Sequence, residues 1–338
     1  MTDHTMRALV ATGYGEPERL TIADLPVPRP GPGQIQVRTT VATINPPDLH
    51  AISGGFGDAL RLEFPYVPGT EFAGTVTEAG PGVTAYRVGD EVFGSALPRP
   101  FAPILAAVPR PSLSTGALAE YLVCEADTHL IGLRPAGVPA EQAAALAIAG
   151  STAQALLDVT ALKPGESVLV IGATGAVGTT VLPLLAAAGA RIIATAAREA
   201  GATLLRRLGA HEIIGHDPAG YPSGVDAVFN LALSAARLPD AARALRPGGR
   251  LVSIIYPEPT AEQAGRDDVD LHFVWDVAGV HGGMPRVAEA ASAGELTAVI
   301  AGRYPLADGV RAVVDYARTH PLGKIVVTFP APGTEATA

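Results

Sequence analysis

The chain has 338 residues, 48% of them hydrophobic and 17% charged, with a formal net charge of −9. That length allows two domains, or one large one, with a sizeable core. The negative balance argues against a nucleic-acid surface, which needs clustered cations. A single cysteine, Cys124, excludes an intrachain disulfide and a cysteine-rich zinc site.

The opening residues Met1-Thr2-Asp3-His4-Thr5 lack the charged-then-apolar pattern of a signal segment. No run of 18 or more residues is unbroken and apolar; the longest candidate, 140–155, carries Glu141, Gln142 and Gln154. A soluble cytoplasmic protein without membrane contact is the expectation. In the first 125 residues, alternating or apolar runs at 7–12, 35–44, 72–78 and 121–125 predict strands, broken by Pro/Gly clusters such as 26–33. The segment 96–115 holds five prolines and reads as an irregular loop. Residues 139–160 predict an Ala-rich helix. Strands and helices then alternate at 167–171, 176–188, 191–196, 199–208, 213–214, 226–231, 235–245 and 250–255, which predicts a doubly wound parallel sheet. A helix near 308–319 precedes a last strand at 324–329. With β-rich material at both ends, the expected domains are 1–125 joined to 296–338, and an inserted dinucleotide-binding domain at 126–295.

The most informative stretch is Val168-Leu169-Val170-Ile171-Gly172-Ala173-Thr174-Gly175-Ala176-Val177-Gly178. A buried parallel strand runs into a glycine-rich turn and then a helix, with a second strand after it, which is the context a dinucleotide fingerprint requires. The glycines allow a tight turn and close approach of a pyrophosphate, and the helix N-terminus offers N–H groups to that anion. A phosphate-gripping P-loop is the rival, but Thr179 stands where that loop needs lysine. At the end of the second strand the chain reads Ala194-Thr195-Ala196-Ala197-Arg198, with no carboxylate before Glu199 to hold a ribose 2′-hydroxyl. Thr195 and Arg198 suit a 2′-phosphate, so NADPH is the expected cofactor; the plain alternative makes Arg198 a solvated helix-start residue.

The order of motifs resembles the medium-chain dehydrogenase/reductase superfamily, within it the zinc-independent quinone oxidoreductase and enoyl reductase branch. The matching stretches are Ile44-Asn45-Pro46-Pro47-Asp48, Phe64-Pro65-Tyr66-Val67-Pro68-Gly69-Thr70-Glu71-Phe72-Ala73-Gly74, Val88-Gly89-Asp90-Glu91-Val92-Phe93-Gly94, Gly116-Ala117-Leu118-Ala119-Glu120-Tyr121, the fingerprint itself, and Leu322-Gly323-Lys324-Ile325-Val326. The resemblance implies an α/β architecture, a Rossmann-type domain inserted in a β-rich GroES-like domain, and a homodimer paired through the run 273–278, which otherwise reads as an ordinary buried strand. Zinc-type relatives carry cysteine near Pro46 or Pro47 and histidine at Thr70, so no metal is expected, and Asp48 with His50 supplies too few ligands.

The chemistry implied is hydride transfer from NADPH to a quinone or to the C=C bond of an α,β-unsaturated carbonyl, with a polyketide intermediate as one natural-product case. Asn45 is the candidate for orienting the carbonyl or the nicotinamide ribose, with a turn role before Pro46 as the alternative. The branch often has tyrosine where His50 stands, and an imidazole exchanges a proton near neutral pH, so His50 is the candidate proton donor beside a surface or packing role. Tyr66 and Tyr256 are weaker donors. Thr152 matches a threonine beside the nicotinamide, or else caps a helix. His216 aligns with a further phosphate contact. Asn230 and the stretch from Ser253 to Tyr256 belong at the carboxyl edge of the sheet, and Lys324 near the cofactor or merely exposed. Pro183, inside the fingerprint helix, predicts a local bend. The competing reading is an NADPH-binding protein without net redox turnover, a redox-neutral cyclase or a crystallin-like binding role. A zinc-type alcohol dehydrogenase is the third.

Overall fold

The computed structural model describes residues 5–330. By its contacts the chain divides into two compact units: one comprises the chain through Ile148 with 277–294 and the segment from Ile300 onward, the other Ala149–Asp276 with Glu295–Val299. The first unit therefore extends past residue 125, the sequence-based boundary, and recovers 277–294 as well.

In the first unit, β1 (Thr5–Val10) pairs antiparallel with β2 (Thr21–Pro26). Then follow β3 (Gln34–Thr43), α1 (Pro46–Ile52), β4 (Glu71–Ala79), β5 (Glu91–Ser95), the two-residue β6 (Leu97–Pro98) and β7 (Leu113–Ser114), β8 (Tyr121–Glu125) and β9 (Ile131–Leu133). The proline-rich stretch between β6 and β7 is largely irregular, as four rings without backbone donors dictate. α2 (Ala140–Thr160) is 21 residues long and apolar enough by length and composition to cross a membrane, but most of it is buried inside the protein, as in a core helix.

The second unit is built on β10 (Ser167–Ile171), α3 (Ala176–Ala187), β11 (Arg191–Thr195), α4 (Glu199–Arg207), β12 (Glu212–Ile214), β13 (Val225–Asn230), α5 (Leu238–Ala242), β14 (Leu245–Ser253), α6 (Ala261–Ala264) and β15 (Asp270–Phe273). Six parallel strands lie in the order β12-β11-β10-β13-β14-β15. The strands read as unbroken apolar runs because both sheet faces are covered. Val168 and Val170 pack with Phe229 on one face, while Leu169 and Ile171 pack with Val228 and Leu251 on the other. The order reverses between β10 and β13, and ligands of such sheets bind at the carboxyl ends beside that switch point.

The chain then returns to the first unit through α7 (Gly283–Ser292), β16 (Ile300–Pro305), α8 (Gly309–Thr319) and β17 (Lys324–Thr328). β17 pairs antiparallel with β3, and β16 parallel with β17, completing a sheet in which β8, β3, β4 and β5 are neighbours. Tail and N-terminal strands thus share one sheet. Two local expectations change. The edge strand β15 ends at Phe273, so most of the run 273–278 is not strand. α3 continues through Pro183 without interruption.

Candidate functional site

Register brings distant residues together in the first unit. Thr43 stands opposite Glu71 across β3 and β4, and opposite Val326 across β3 and β17. Glu71, Thr43 and Lys324 therefore sit at neighbouring strand ends, with Asn45 two residues beyond Thr43. All four are buried. Lys324 Nζ donates to Glu71 Oε2 at 2.5 Å and also to Asn45 Oδ1. Glu71 Oε2 further accepts from the Thr43 hydroxyl and from Asn45 Nδ2 at 2.8 Å, and Oε1 accepts the Ile148 N–H at 2.5 Å. Burying an ion pair is tolerated when additional hydrogen bonds satisfy its remaining atoms, and here they do.

This network fixes Asn45. Lysine has only donors, so Oδ1 must face Lys324. The two amide hydrogens then meet three acceptors: Thr70 Oγ1 at 2.9 Å, Glu71 Oε2, and Thr43 Oγ1 at 3.3 Å. Asn45 also caps α1: its N–H donates to Asp48 Oδ2 at 2.8 Å, while Asp48 Oδ1 accepts the Gly69 N–H at 2.9 Å. Burial pushes the Asp48 carboxyl up to about 7, against the pull of those two donors and of Lys324 and with a push from Glu71.

Tyr66 is buried beside this cluster and its hydroxyl has no hydrogen-bond partner. Burial, and then the nearby Asp48 charge, hold its pKa well above 10. Tyr316, facing Asp48 and Glu71, is raised for the same reasons. His50 lies apart from the cluster, exposed on the last turn of α1, with its ring edge-on to Phe56 at 4.5 Å between centroids.

In the second unit the fingerprint turn adopts the conformation its glycines permit. Gly172 has φ of +84°, and its N–H donates to Thr195 Oγ1 at 3.0 Å. A Cβ on Gly178 would lie 2.3 Å from the Ala173 carbonyl oxygen, so only glycine lets α3 start this close to β10. Gly175 is the N-cap of α3, and no side chain caps this end. The first N–H groups, at Ala176, Val177 and Gly178, therefore have no intrahelical acceptor. Ala173 is fully buried, while Thr174 to Val177 are half-buried. This uncapped end fits the pyrophosphate of a dinucleotide.

Thr195 is fully buried and braces the turn from behind. Arg198 and His216 are exposed just beyond the carboxyl ends of the adjacent strands β11 and β12. Glu199 is turned onto its own helix, bonded to Arg206 at 3.0 Å and Thr203 at 3.3 Å. Asn230 is fully buried: Nδ2 donates to the Leu233 carbonyl and to Ser253 Oγ, and Oδ1 accepts the Leu233 N–H, which shapes the loop after β13. Thr152 is half-buried in the interior of α2, which excludes the helix-cap alternative. Tyr256 is exposed beyond β14.

Sequence reasoning did not single out Thr43, and it marked Thr70 and Glu71 only as motif positions, Thr70 as the place of a missing zinc ligand. A glutamate leading an otherwise apolar strand was the available signal for Glu71.

A parallel sheet with a glycine-rich turn at its switch point, and a β-rich unit with a buried polar cluster, define an α/β protein of two units. Residues 31–136 match the alcohol dehydrogenase GroES-like domain, and residues 208–327 match the zinc-binding dehydrogenase family. Human quinone oxidoreductase is 30% identical over 78% of this chain and 76% of its own length. A mycocerosic acid synthase-like polyketide synthase of Mycobacterium tuberculosis is 31% identical over 98% of this chain, which spans 16% of that much longer protein. A mycobacterial protein solved in complex with NADPH superposes with a TM-score of 0.80 at 27% identity, covering 96% of this chain and 99% of that one. The chain belongs to the medium-chain dehydrogenase/reductase superfamily, in its quinone oxidoreductase-like branch. It is an oxidoreductase of that superfamily.

Proposed function

We propose that the protein is a zinc-independent, NADPH-dependent reductase of a quinone or of the C=C bond of an α,β-unsaturated carbonyl. The observation that carries this reading is the uncapped start of α3 beside β11, beyond whose end lies Arg198, with His216 beyond the adjacent β12, while the nearest carboxylate, Glu199, is held by Arg206. The free N–H groups at Ala176 to Gly178 would hold the pyrophosphate. Arg198, with His216, would hold the 2′-phosphate. Thr195 and Asn230 keep the two loops in shape, and Thr152 stands at the nicotinamide end.

The reduced nicotinamide supplies a hydride; the chain's own residues orient the acceptor and deliver the proton. Asn45 acts as a positioning residue, since its amide is already engaged by Lys324, Thr70 and Glu71. Tyr66 offers an un-ionised, unpartnered hydroxyl to a carbonyl oxygen. His50 is the proton donor of this reading. Thr70 and the pair Pro46 and Pro47, standing where zinc-type relatives carry ligands, support chemistry without a metal. The similarity to a polyketide synthase supports a conjugated polyketide intermediate as the natural acceptor. A cytoplasmic homodimer completes the proposal.

The test is steady-state oxidation of NADPH and NADH against a panel of quinones and enones, with wild type and His50→Ala. NADPH-selective turnover that falls about 100-fold in the variant without loss of cofactor binding supports both the activity and the donor. Turnover unaffected by the substitution removes His50 from the mechanism. Tight NADPH binding without turnover favours the redox-neutral alternative.

A further inference from the structure

His50 is exposed at the end of α1, yet its ring is confined on two sides. A Cβ built on Gly55 would lie 2.3 Å from both Cε1 and Nδ1 of His50 and 2.9 Å from Cγ. The imidazole therefore rests directly on the Gly55 backbone, and only glycine leaves it room. The other wall is Phe56, whose ring meets the imidazole at 4.5 Å between centroids and 76°. Phe56 is braced in turn by Phe101, 5.4 Å away at 80°, and Phe101 is buried. Phe101 comes from the proline-rich stretch after β6, which thus supplies one of the supports. The turn itself is tied: the Gly55 N–H donates to the His50 carbonyl at 2.8 Å, and the Ser53 hydroxyl donates to the same carbonyl at 3.1 Å.

Confining an exposed side chain to one rotamer costs conformational entropy, and here a glycine and two aromatic rings combine to do it. The slot also separates the two ring nitrogens. Nδ1 faces the Gly55 backbone, whose N–H is taken by the His50 carbonyl, while Nε2 lies on the edge farther from Gly55. Neither nitrogen has a hydrogen-bond partner among the described residues. We infer that Gly55 is a positioning residue that, with Phe56 as the opposite wall, holds His50 so that Nε2 is the atom giving up the proton in the reduction. This rests on the reductase reading and deepens it by naming the donor atom and what holds it. The step is one proton transfer. The Nε2–H bond of the imidazolium breaks, its electron pair stays on nitrogen, and the proton joins the enolate or hydroquinone anion left by hydride addition; water then returns a proton to the imidazole. A donor already in place spares that ordering in the transition state. Gly55 lies outside the left-handed backbone region, so alanine there meets no backbone strain, and the atoms its methyl would strike are the far end of a side chain. Gly55→Ala therefore expels the imidazole from the slot without loosening the fold.

The experiment has two arms. The first follows the ring protons of His50 by NMR in histidine-labelled protein, identified as the resonances lost in His50→Ala. The inference expects Hε1 to be displaced from its position in free histidine by the Phe56 ring, to show a nuclear Overhauser contact with the Gly55 Hα, and to return towards the free position in Gly55→Ala. A wild-type resonance at the free position, or one that Gly55→Ala leaves unmoved, overturns the slot. A contact from Hδ2 in place of Hε1 would turn Nδ1 outward and overturns the choice of nitrogen. The second arm compares kcat for naphthoquinone in wild type, His50→Ala, Gly55→Ala and the double variant, with NADPH Kd and thermal melts alongside. Gly55→Ala is expected to lose about tenfold in kcat with Kd and melting temperature unchanged. The double variant should be no slower than His50→Ala, because Gly55 acts only through that ring. Losses that add in the double variant overturn the inference, and so does a wild-type kcat in Gly55→Ala. An unchanged kcat in His50→Ala overturns it while leaving the reductase reading in place. If wild type reduces no acceptor at all, the reductase reading fails and the proton step with it, and the NMR arm alone decides whether the slot holds the ring.

Discussion

Lys324 and Glu71 lie 253 residues apart in sequence and form an ion pair at 2.5 Å, with side-chain exposures of 3% and 0%. The pair is built by strand register: β17 and β4 flank β3 on opposite sides, and the strand between them contributes Thr43 and, just beyond its end, Asn45. Because both charges are shut away from water, each depends on the other and on the hydrogen bonds around it.

Removing the cation should therefore be costly. Lys324→Met is expected to destabilise the protein by about 3–5 kcal/mol, because a carboxylate is left buried and uncompensated. The double variant Lys324→Met/Glu71→Gln should recover part of that loss, since neighbours in one network couple. Urea denaturation of wild type, Lys324→Met, Glu71→Gln and the double variant checks this. A single variant within about 1 kcal/mol of wild type would contradict the buried pair.

Asp48 gives the protein a pH dependence of unusual sign for a carboxylate. Its folded pKa, pushed up to about 7 mainly by burial, exceeds its ordinary value of 3.8. Between these values the folded state keeps a proton that the unfolded state has released, so stability falls as pH rises from about 4 to about 7 and is level outside that window. The slope from this one group is at most about 1.4 kcal/mol per pH unit. Asp226 works the other way and elsewhere. Despite its burial, hydrogen bonds from Arg246 and Ser167 bring it down to about 2, so its contribution is lost only in stronger acid. Asp48→Asn should flatten the curve between pH 4 and 7 relative to wild type, measured by denaturation across that range. Parallel curves would contradict the assignment.

Tyr66→Phe separates stability from activity. The substitution deletes a buried hydroxyl that has no protein partner, so stability is expected to hold or to rise by about 1 kcal/mol. Turnover should fall if that hydroxyl meets the acceptor's carbonyl oxygen. Thermal melts read the first quantity and kcat/KM the second; a variant that loses stability points to a structural partner instead.

Arg198→Ala addresses the cofactor. Loss of a charge-assisted bond to a 2′-phosphate should weaken NADPH binding by about tenfold to a hundredfold and leave NADH nearly unchanged. Calorimetric titration with both nucleotides gives the ratio. Equal effects on the two would remove Arg198 from phosphate recognition.

Much of this architecture is legible in the chain because periodicity and glycine placement are local. The run Val168 to Ile171 is apolar on both faces, and that alone marks a doubly covered strand. Gly172, Gly175 and Gly178 mark the turn for steric reasons that sequence spacing carries. β15 is harder: as an edge strand it includes Asp270 and His272, so its pattern is broken and the apolar residues after it draw the reading downstream. α1 is short, and its signal, Asn45 followed by Asp48 three residues on, is a capping pattern easily taken for catalytic spacing. The burial of Lys324 is not written near Lys324 at all. It depends on Glu71 and Thr43, which only strand register brings alongside.

The central claim is hydride delivery from NADPH to an electron-poor acceptor. The most direct measurement is turnover of an aryl enone with NADPH deuterated at the transferring carbon, followed by mass and NMR analysis of the product. The account predicts one deuterium on the former β-carbon, with NADPH consumed mole for mole and the C=C bond saturated. Tight binding of NADPH with no deuterium transferred to any enone or quinone would contradict it.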